Sequence, residues 1–424
     1  MKLLKKIIAN PIIRLSSLNS VSVLMRIAGG FLSSKMIAIF LGPSGMALTG
    51  SLRNFLTSVD TFSTLGIQNG IITYTAKFEK EEEQLARVVS TTIITLLISA
   101  IFCGALLIVP ATGWSSWVFN GNRGYAWIFR VLGCVLPLYS GSIVFISFLN
   151  GLGKHHKVIY LNIAGNFFGV LVSALLIWKM GVSGAFLGLV ASPVLLMFLS
   201  IYPLYSSINM RLLLQRKYFD IATLKNLSAY SLMSFVTALV APVVYISLRN
   251  TIIDNAGLRE AGYWEGMGRL SSFYLTFVTT LITVYFLPKL SKAVTINETK
   301  SIFRSYYKIV VPIFIAGIVL IYFLKNLIIK ITLSADFLPM SGLFVWQLFG
   351  DLLKVCSFIL AQEFFARRLT KMYIGTELFS FAVFYTSGRI LIPYFGAEGA
   401  AMAHFVTYLI YFMVLLILFR KKVF

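Results

Sequence analysis

Acidic residues are scarce in this sequence: 15 Asp and Glu stand against 37 Lys and Arg, a formal net charge of +22 over 424 residues. Charged residues of both signs make up 12%, against about 25% in an ordinary soluble domain. The three cysteines, Cys103, Cys134 and Cys356, form no CxxC and no Cys/His cluster, which argues against a disulfide framework and a zinc site. GxxxxGK[ST], HExxH, GxSxG and the glycine-rich dinucleotide fingerprint are also missing. The sequence therefore supports neither an enzyme nor a nucleotide-fuelled pump, and it calls for no metal and no cofactor.

What the chain has is apolar length. It is 58% hydrophobic, in unbroken runs of roughly 20–27 residues that suit membrane helices and not the ten-residue alternation of a barrel. Spans are expected near 15–41, 46–72, 88–109, 125–150, 158–178, 184–206, 226–248, 263–288, 305–324, 341–366, 372–392 and 399–419. With a cytoplasmic N-terminus, 23 of the 37 basic residues fall in inside segments and six (Arg123, Lys179, Arg249, Arg259, Lys325, Lys330) in outside loops. The positive-inside rule thus places both termini in the cytoplasm, and the basic charge is explained without nucleic acid. The basic start "MKLLKKIIANPIIRLSS" precedes a run too long for a signal-peptide core and lacks a small-residue cleavage pattern, so it is expected to remain.

The chain also repeats itself. "GVSGA" at 181–185 and "GAEGA" at 396–400 introduce the sixth and twelfth spans at an offset of 215, and "GLGKHHK" at 151–157 shifts onto "ARRLTKM" at 366–372. Gly45 maps near Gly262 at an offset of 217. A unit of six spans repeats with the same orientation. The expected architecture is an all-α polytopic membrane protein of twelve transmembrane helices in two six-helix bundles around a central cavity. Residues 1–206 form the first bundle, 207–225 a cytoplasmic linker and 226–424 the second bundle.

Eight cations are left inside the spans: Arg26, Lys35, Arg53, Arg130, Arg269, Lys308, Lys354 and Arg389, together with the acids Asp60, Glu265 and Asp351. Each costs about 2.5–3.5 kcal/mol at mid-bilayer on insertion scales, so they are expected to face protein or water. Arg53 and Asp60 share a face at i, i+7, Glu265 and Arg269 pair at i, i+4, and Asp351 and Lys354 at i, i+3. Lys35, Lys308 and Arg389 are as well placed to snorkel from outer turns as to line a cavity. Arg26 and Lys35 lie half a turn out of phase. The remaining positive excess asks for an anion, and arginine suits phosphate because its planar donors grip two oxygens and keep their protons.

His404 is a candidate proton carrier or a helix-contact histidine, while His155 and His156 belong to a basic turn. Gly29, Gly30 and Pro242 mark places where a span bends, or, for the glycines, where helices pack closely. The candidate substrate contacts are Arg26, Lys35, Arg53, Arg130, Arg269, Lys354 and Arg389. The candidate coupling or pairing groups are Asp60, Glu265, Asp351 and His404.

Five stretches, "LGPSGMALTGSLRNFLT" (41–57), "LGIQNGI" (65–71), "YWEGMGRLSSFYLTF" (263–277), "VYFLPKLSK" (284–292) and "FVWQLFGDLLKV" (344–355), carry a resemblance over nearly the whole chain. The sequence resembles Wzx-type flippases of lipid-linked oligosaccharides, the O-antigen and enterobacterial-common-antigen translocases of the multidrug/oligosaccharidyl-lipid/polysaccharide superfamily. The resemblance implies alternating access in the bacterial inner membrane and an undecaprenyl-pyrophosphate-linked oligosaccharide as cargo. Membrane lipid, and the polymerase and chain-length proteins of the same pathway, are the implied partners. It assigns cationic roles to Arg26, Lys35, Arg53 and Lys354 beside Asp351. It does not reach Arg269 or Asp60, which rest on the residues alone. The rivals are an ion-coupled exporter of small molecules with the same architecture and a non-transporting scaffold of polysaccharide synthesis.

Overall fold

The computed structural model describes residues 11–207, 216–228 and 231–423. Lys2, Lys5, Lys6 and the middle of the expected linker, 208–215, lie outside the described residues. Every regular element among the described residues is helical. Among the described residues eight helices are long and apolar enough to cross a membrane. Three of these are broken by a glycine outside helical space: Gly42 (φ 63°), Gly181 (φ 57°) and Gly396 (φ 55°).

At Gly181 the chain turns back on itself. A Cβ on Gly184 would lie 1.9 Å from the Leu176 carbonyl, whereas eight residues of straight helix would separate them by about 12 Å. Gly165 meets Leu196, Gly169 meets Ser192 and Gly188 meets Ser173, and the midpoint of each pair falls beside Gly181. This is an antiparallel hairpin with small residues along its seam, the arrangement that lets backbones approach where lipid offers no hydrophobic drive.

Splitting the three broken helices gives α1 (11–41), α2 (43–63), α3 (Glu82–Ile108), α4 (Ala126–Gly151), α5 (155–180), α6 (182–205), α7 (Leu232–Ala256), α8 (Leu258–Leu281), α9 (Ile296–Phe323), α10 (Phe344–Ala366), α11 (370–395) and α12 (397–418). α8 is of span length but carries Arg259, Glu260, Glu265 and Arg269, so hydropathy alone passes it over. One segment lies near each expected span. The expected span 46–72 is interrupted, since Leu65 (φ 52°) and Gly66 (φ 62°) end α2 before a short helix Gln68–Lys77 begins.

The repeat is written in the backbone. At an offset of 215, Gly181 (φ 57°, ψ −129°) corresponds to Gly396 (φ 55°, ψ −132°), Gly42 to Gly257 (φ 91°), and Gly153 (φ 65°) to Arg368 (φ 55°). Gly153 and Arg368 close their helices in the same way: the amide of Lys154 reaches Leu149 O at 2.9 Å, and that of Leu369 reaches Phe364 O at 2.8 Å. The short helices Ala111–Val118 and Lys325–Thr332 correspond as well.

The chain divides into two compact units, one of Met1–Ser33 and Leu52–Ala238, the other of Ser34–Ser51 and Leu239–Phe424. The first has a core of α3 and α4 side chains, among them Val89, Ile93, Val144 and Phe148. In the second, α10 packs against the α11–α12 hairpin and against α8 and α9. This unit also holds the tip of the α1–α2 hairpin, residues 34–51. Large apolar side chains such as Ile313, Phe323 and Trp178 stay exposed, as a lipid-facing surface requires, and the chain is a multi-pass membrane protein.

Candidate functional site

Two polar clusters lie within the membrane-length helices of the second unit. The first is built on α8, where the Arg269 Nε donates to Glu265 Oε1 at 3.0 Å across one helical turn. The other Glu265 oxygen accepts from Arg249 of α7 at 2.6 Å. Arg249 is 1% exposed, and its guanidinium stands 5.4 Å from the Trp264 ring centre.

This corrects the sequence reading, which placed Arg249 in an outside loop. Hydropathy falls at Arg249, but α7 runs on to Ala256, because the residue that ends it is Gly257 with its positive φ. That glycine was the usable signal.

The tip of the α1–α2 hairpin completes the cluster. Arg269 donates to Ser34 Oγ at 3.2 Å and Thr49 Oγ1 at 3.5 Å, and Arg249 donates to Ser51 Oγ at 3.2 Å. Gly50 forms the wall, since a Cβ there would lie 2.3 Å from the Glu265 carboxyl carbon. One carboxylate accepts from two guanidiniums, which also donate to hydroxyl groups in a buried place.

The second cluster centres on Asp351 of α10, which is wholly buried. Its Oδ2 accepts from the hydroxyls of Ser271 and Tyr274 on α8. Its Oδ1 lies 3.2 Å from Gln347 Nε2 and 2.9 Å from His404 Nε2 of α12. Four donors match the lone-pair sites of an ionised carboxylate, with the His404 tautomer that places hydrogen on Nε2. Gly350 lets α12 approach, because a Cβ there would meet the His404 ring at 2.4 Å. Lys354, one turn along α10, holds its ammonium 5.2 Å over the Tyr408 ring, within electrostatic reach of Asp351, Glu377 and His404. The expected Asp351–Lys354 pairing is thus a neighbourhood in which the carboxylate is bonded chiefly by others. Ser271, Tyr274 and Gln347 were missed from sequence because neutral hydroxyl and amide groups carry no charge pattern to find.

The remaining candidates lie apart. Lys35 donates to Lys330 O at 2.7 Å, in the last turn of the helix Lys325–Thr332, where free carbonyls attract a cation. Arg389 donates to Thr251 Oγ1 at 2.9 Å. Asp60, in the last turn of α2, hydrogen-bonds Tyr139 of α4. Its seven-residue separation from Arg53 amounts to about 10 Å of helix rise. Arg26, Arg53 and Arg130 are exposed side chains of the first unit. Lys308 is exposed on α9. At Gly29 a Cβ would stand 3.6 Å from Val170 of α5, an ordinary packing distance, and Pro242 is buried in α7. His155 and His156 begin α5.

Residues 16–294 match the model of a family described as polysaccharide biosynthesis protein. Over 392 residues the chain is 30% identical to the lipid III flippase of Escherichia coli (strain K12), covering 92% of this chain and 94% of the relative. Among solved structures it is similar to an inward-facing multidrug resistance MATE family transporter of the MOP superfamily (TM-score 0.81, 14% identity, 95% and 94% of the chains). It is also similar to the lipid II flippase MurJ in an inward closed conformation (TM-score 0.74, 16% identity, 96% and 87%). The two structural likenesses speak for the fold.

Proposed function

The chain belongs to the polysaccharide biosynthesis protein family, and from that membership we infer that it is a flippase for an undecaprenyl-pyrophosphate-linked oligosaccharide. The cargo passes from the cytoplasmic to the periplasmic leaflet by alternating access, for O-antigen or common-antigen synthesis. The observation that carries this reading is the 30% identity to a lipid III flippase along almost the full length of both chains. The side chains supply the chemistry. Glu265 is held between Arg249 and Arg269, and the further cations Lys354, Arg26, Arg53 and Arg130 suit a pyrophosphate. Lys35, Arg269 and Arg389 are the further candidate substrate contacts.

In this reading residues 1–206 and 226–424 act as two six-helix halves joined by 207–225, with both termini on the cytoplasmic side of the bacterial inner membrane. Gly29, Gly30 and Pro242 are the bending points. The Asp351–His404 pair is the proton-responsive element, with Asp60 and Glu265 as further pairing groups. Polymerase and chain-length proteins of the pathway are its neighbours.

Deletion of the gene is expected to abolish the surface polysaccharide and accumulate its lipid-linked intermediate in the inner leaflet. Unchanged polysaccharide with no such intermediate would overturn the reading. Lys354→Ala is expected to leave the amount of protein in the membrane unchanged and slow transport roughly 10–100-fold, the loss of one charged hydrogen bond worth about 1.5–3 kcal/mol. Complementation of the deletion at native expression measures it, and full complementation removes Lys354 from the substrate path.

A further inference from the structure

An apolar groove of about 420 Å³ runs between α8 and α9 within the second unit. Its walls are Phe277 and Leu281 of α8 and Ile309 and Ile313 of α9, all strongly exposed, and its floor is Phe314 and Ile318, both buried. The groove stays open for two reasons. Gly317 lines it without a side chain, and a Cβ there would meet nothing within 4 Å. Both helices are also tied backward to α10, through the hydroxyl of Tyr274 to Asp351 and that of Tyr307 to Cys356 O at 2.7 Å. α8 then widens into a π-turn, Ile282–Phe286, a geometry that recurs at functional positions.

One side chain separates this groove from the polar interior. The Tyr274 ring lines the groove 6.1 Å from Phe314, while its hydroxyl bonds Asp351, one turn from Lys354. Asp351 lies at the middle of the membrane-length helical stretch Ala335–Ala366. A resident phospholipid keeps its head group at the membrane surface, about 15 Å away from that level. The lipid whose anionic head stands at mid-membrane is one that is being carried across.

We propose that the α8–α9 groove seats the isoprenoid tail of the transported lipid while its pyrophosphate is held near Lys354, with Tyr274 as the partition between them. This rests on the flippase reading above. Tail and head then travel on opposite sides of one tyrosine. The apolar chain gains no hydrophobic free energy on leaving lipid for the groove, so the groove acts by shape and position.

The test uses the full chain in liposomes of phosphatidylethanolamine and phosphatidylglycerol, with a benzophenone-tagged polyprenyl pyrophosphate that carries no sugar. Photo-adducts are expected on segments 274–281 and 309–321, competed by undecaprenyl pyrophosphate and not by added phosphatidylglycerol. Gly317→Trp, which fills the open space, is expected to remove the adducts and transport together. If Gly317→Trp lowers the thermal midpoint, Ile313→Trp on the exposed wall is read in its place. Adducts elsewhere, equal competition by phosphatidylglycerol, or unchanged labelling in a folded filled variant would overturn the tail site. Those outcomes leave the flippase reading intact, because that reading is decided by the intermediate in the deletion strain.

Discussion

Glu265→Ala is expected to destabilise the protein by about 3–5 kcal/mol, the usual consequence of removing one partner from a buried ion pair. The size follows from what is left behind. Arg249 and Arg269 are 1% and 4% exposed, and the carboxylate between them accepts from both. Without it the two guanidiniums lose the carboxylate they share and keep the hydroxyls of Ser34, Thr49 and Ser51 among their partners. Thermal unfolding of the protein in detergent, with the amount recovered from the membrane, gives the measurement. Glu265→Gln keeps the shape and an acceptor and is expected to fall between wild type and alanine. Adding Arg249→Met to Glu265→Ala removes one of the two charges the carboxylate had served and is expected to restore part of the loss, a coupling that separates electrostatics from packing. If Glu265→Ala unfolds at the wild-type temperature, the cluster contributes nothing to stability.

Gly262→Leu is expected to unseat the tip of the α1–α2 hairpin from α8. A Cβ on Gly262 would lie 1.9 Å from the carbonyl oxygen of Pro43, and backbone on both sides cannot turn away as a side-chain end does. Overpacking of this kind costs about 1–3 kcal/mol and more where nothing yields. Met46, fully buried at the tip, is the reporter. With Cys103, Cys134 and Cys356 replaced, a cysteine at position 46 is expected to be protected from a membrane-impermeant maleimide in the parent and to react in the Gly262→Leu protein. Equal protection in both would mean that the tip accommodates the leucine, and the close approach would lose its significance.

The long-range plan of the fold was legible because lipid imposes simple rules. Apolar runs of bilayer length give helices, and the 215-residue offset between "GVSGA" and "GAEGA" corresponds to the matching turns at Gly181 and Gly396. Boundaries were less legible where the rule is local. α7 was ended at Arg249 because charge was read as loop, yet the helix stops at Gly257 and the arginine is buried against a partner sixteen residues later. The Glu265–Arg269 pair was readable, being one turn apart on one helix. The environment of Asp351 was not, since its donors come from α8, α10 and α12, and only tertiary packing brings them together. For Lys35 the pattern left an outer turn and a cavity equally open, and its ammonium donates to the carbonyl of Lys330, a partner no sequence pattern announces.

Gly50 and Glu265 stand 215 residues apart, the spacing of the repeat, and they touch. A position in the first half therefore meets its own counterpart in the second. In a chain with identical halves the same residue would occupy both sides of this contact. Two glutamates there would oppose like charges in a space that, as it stands, does not admit even one added Cβ beside the carboxylate. The ionic cluster thus requires that the two matching positions differ. The carboxylate fits on one side because the matching position on the other carries no side chain.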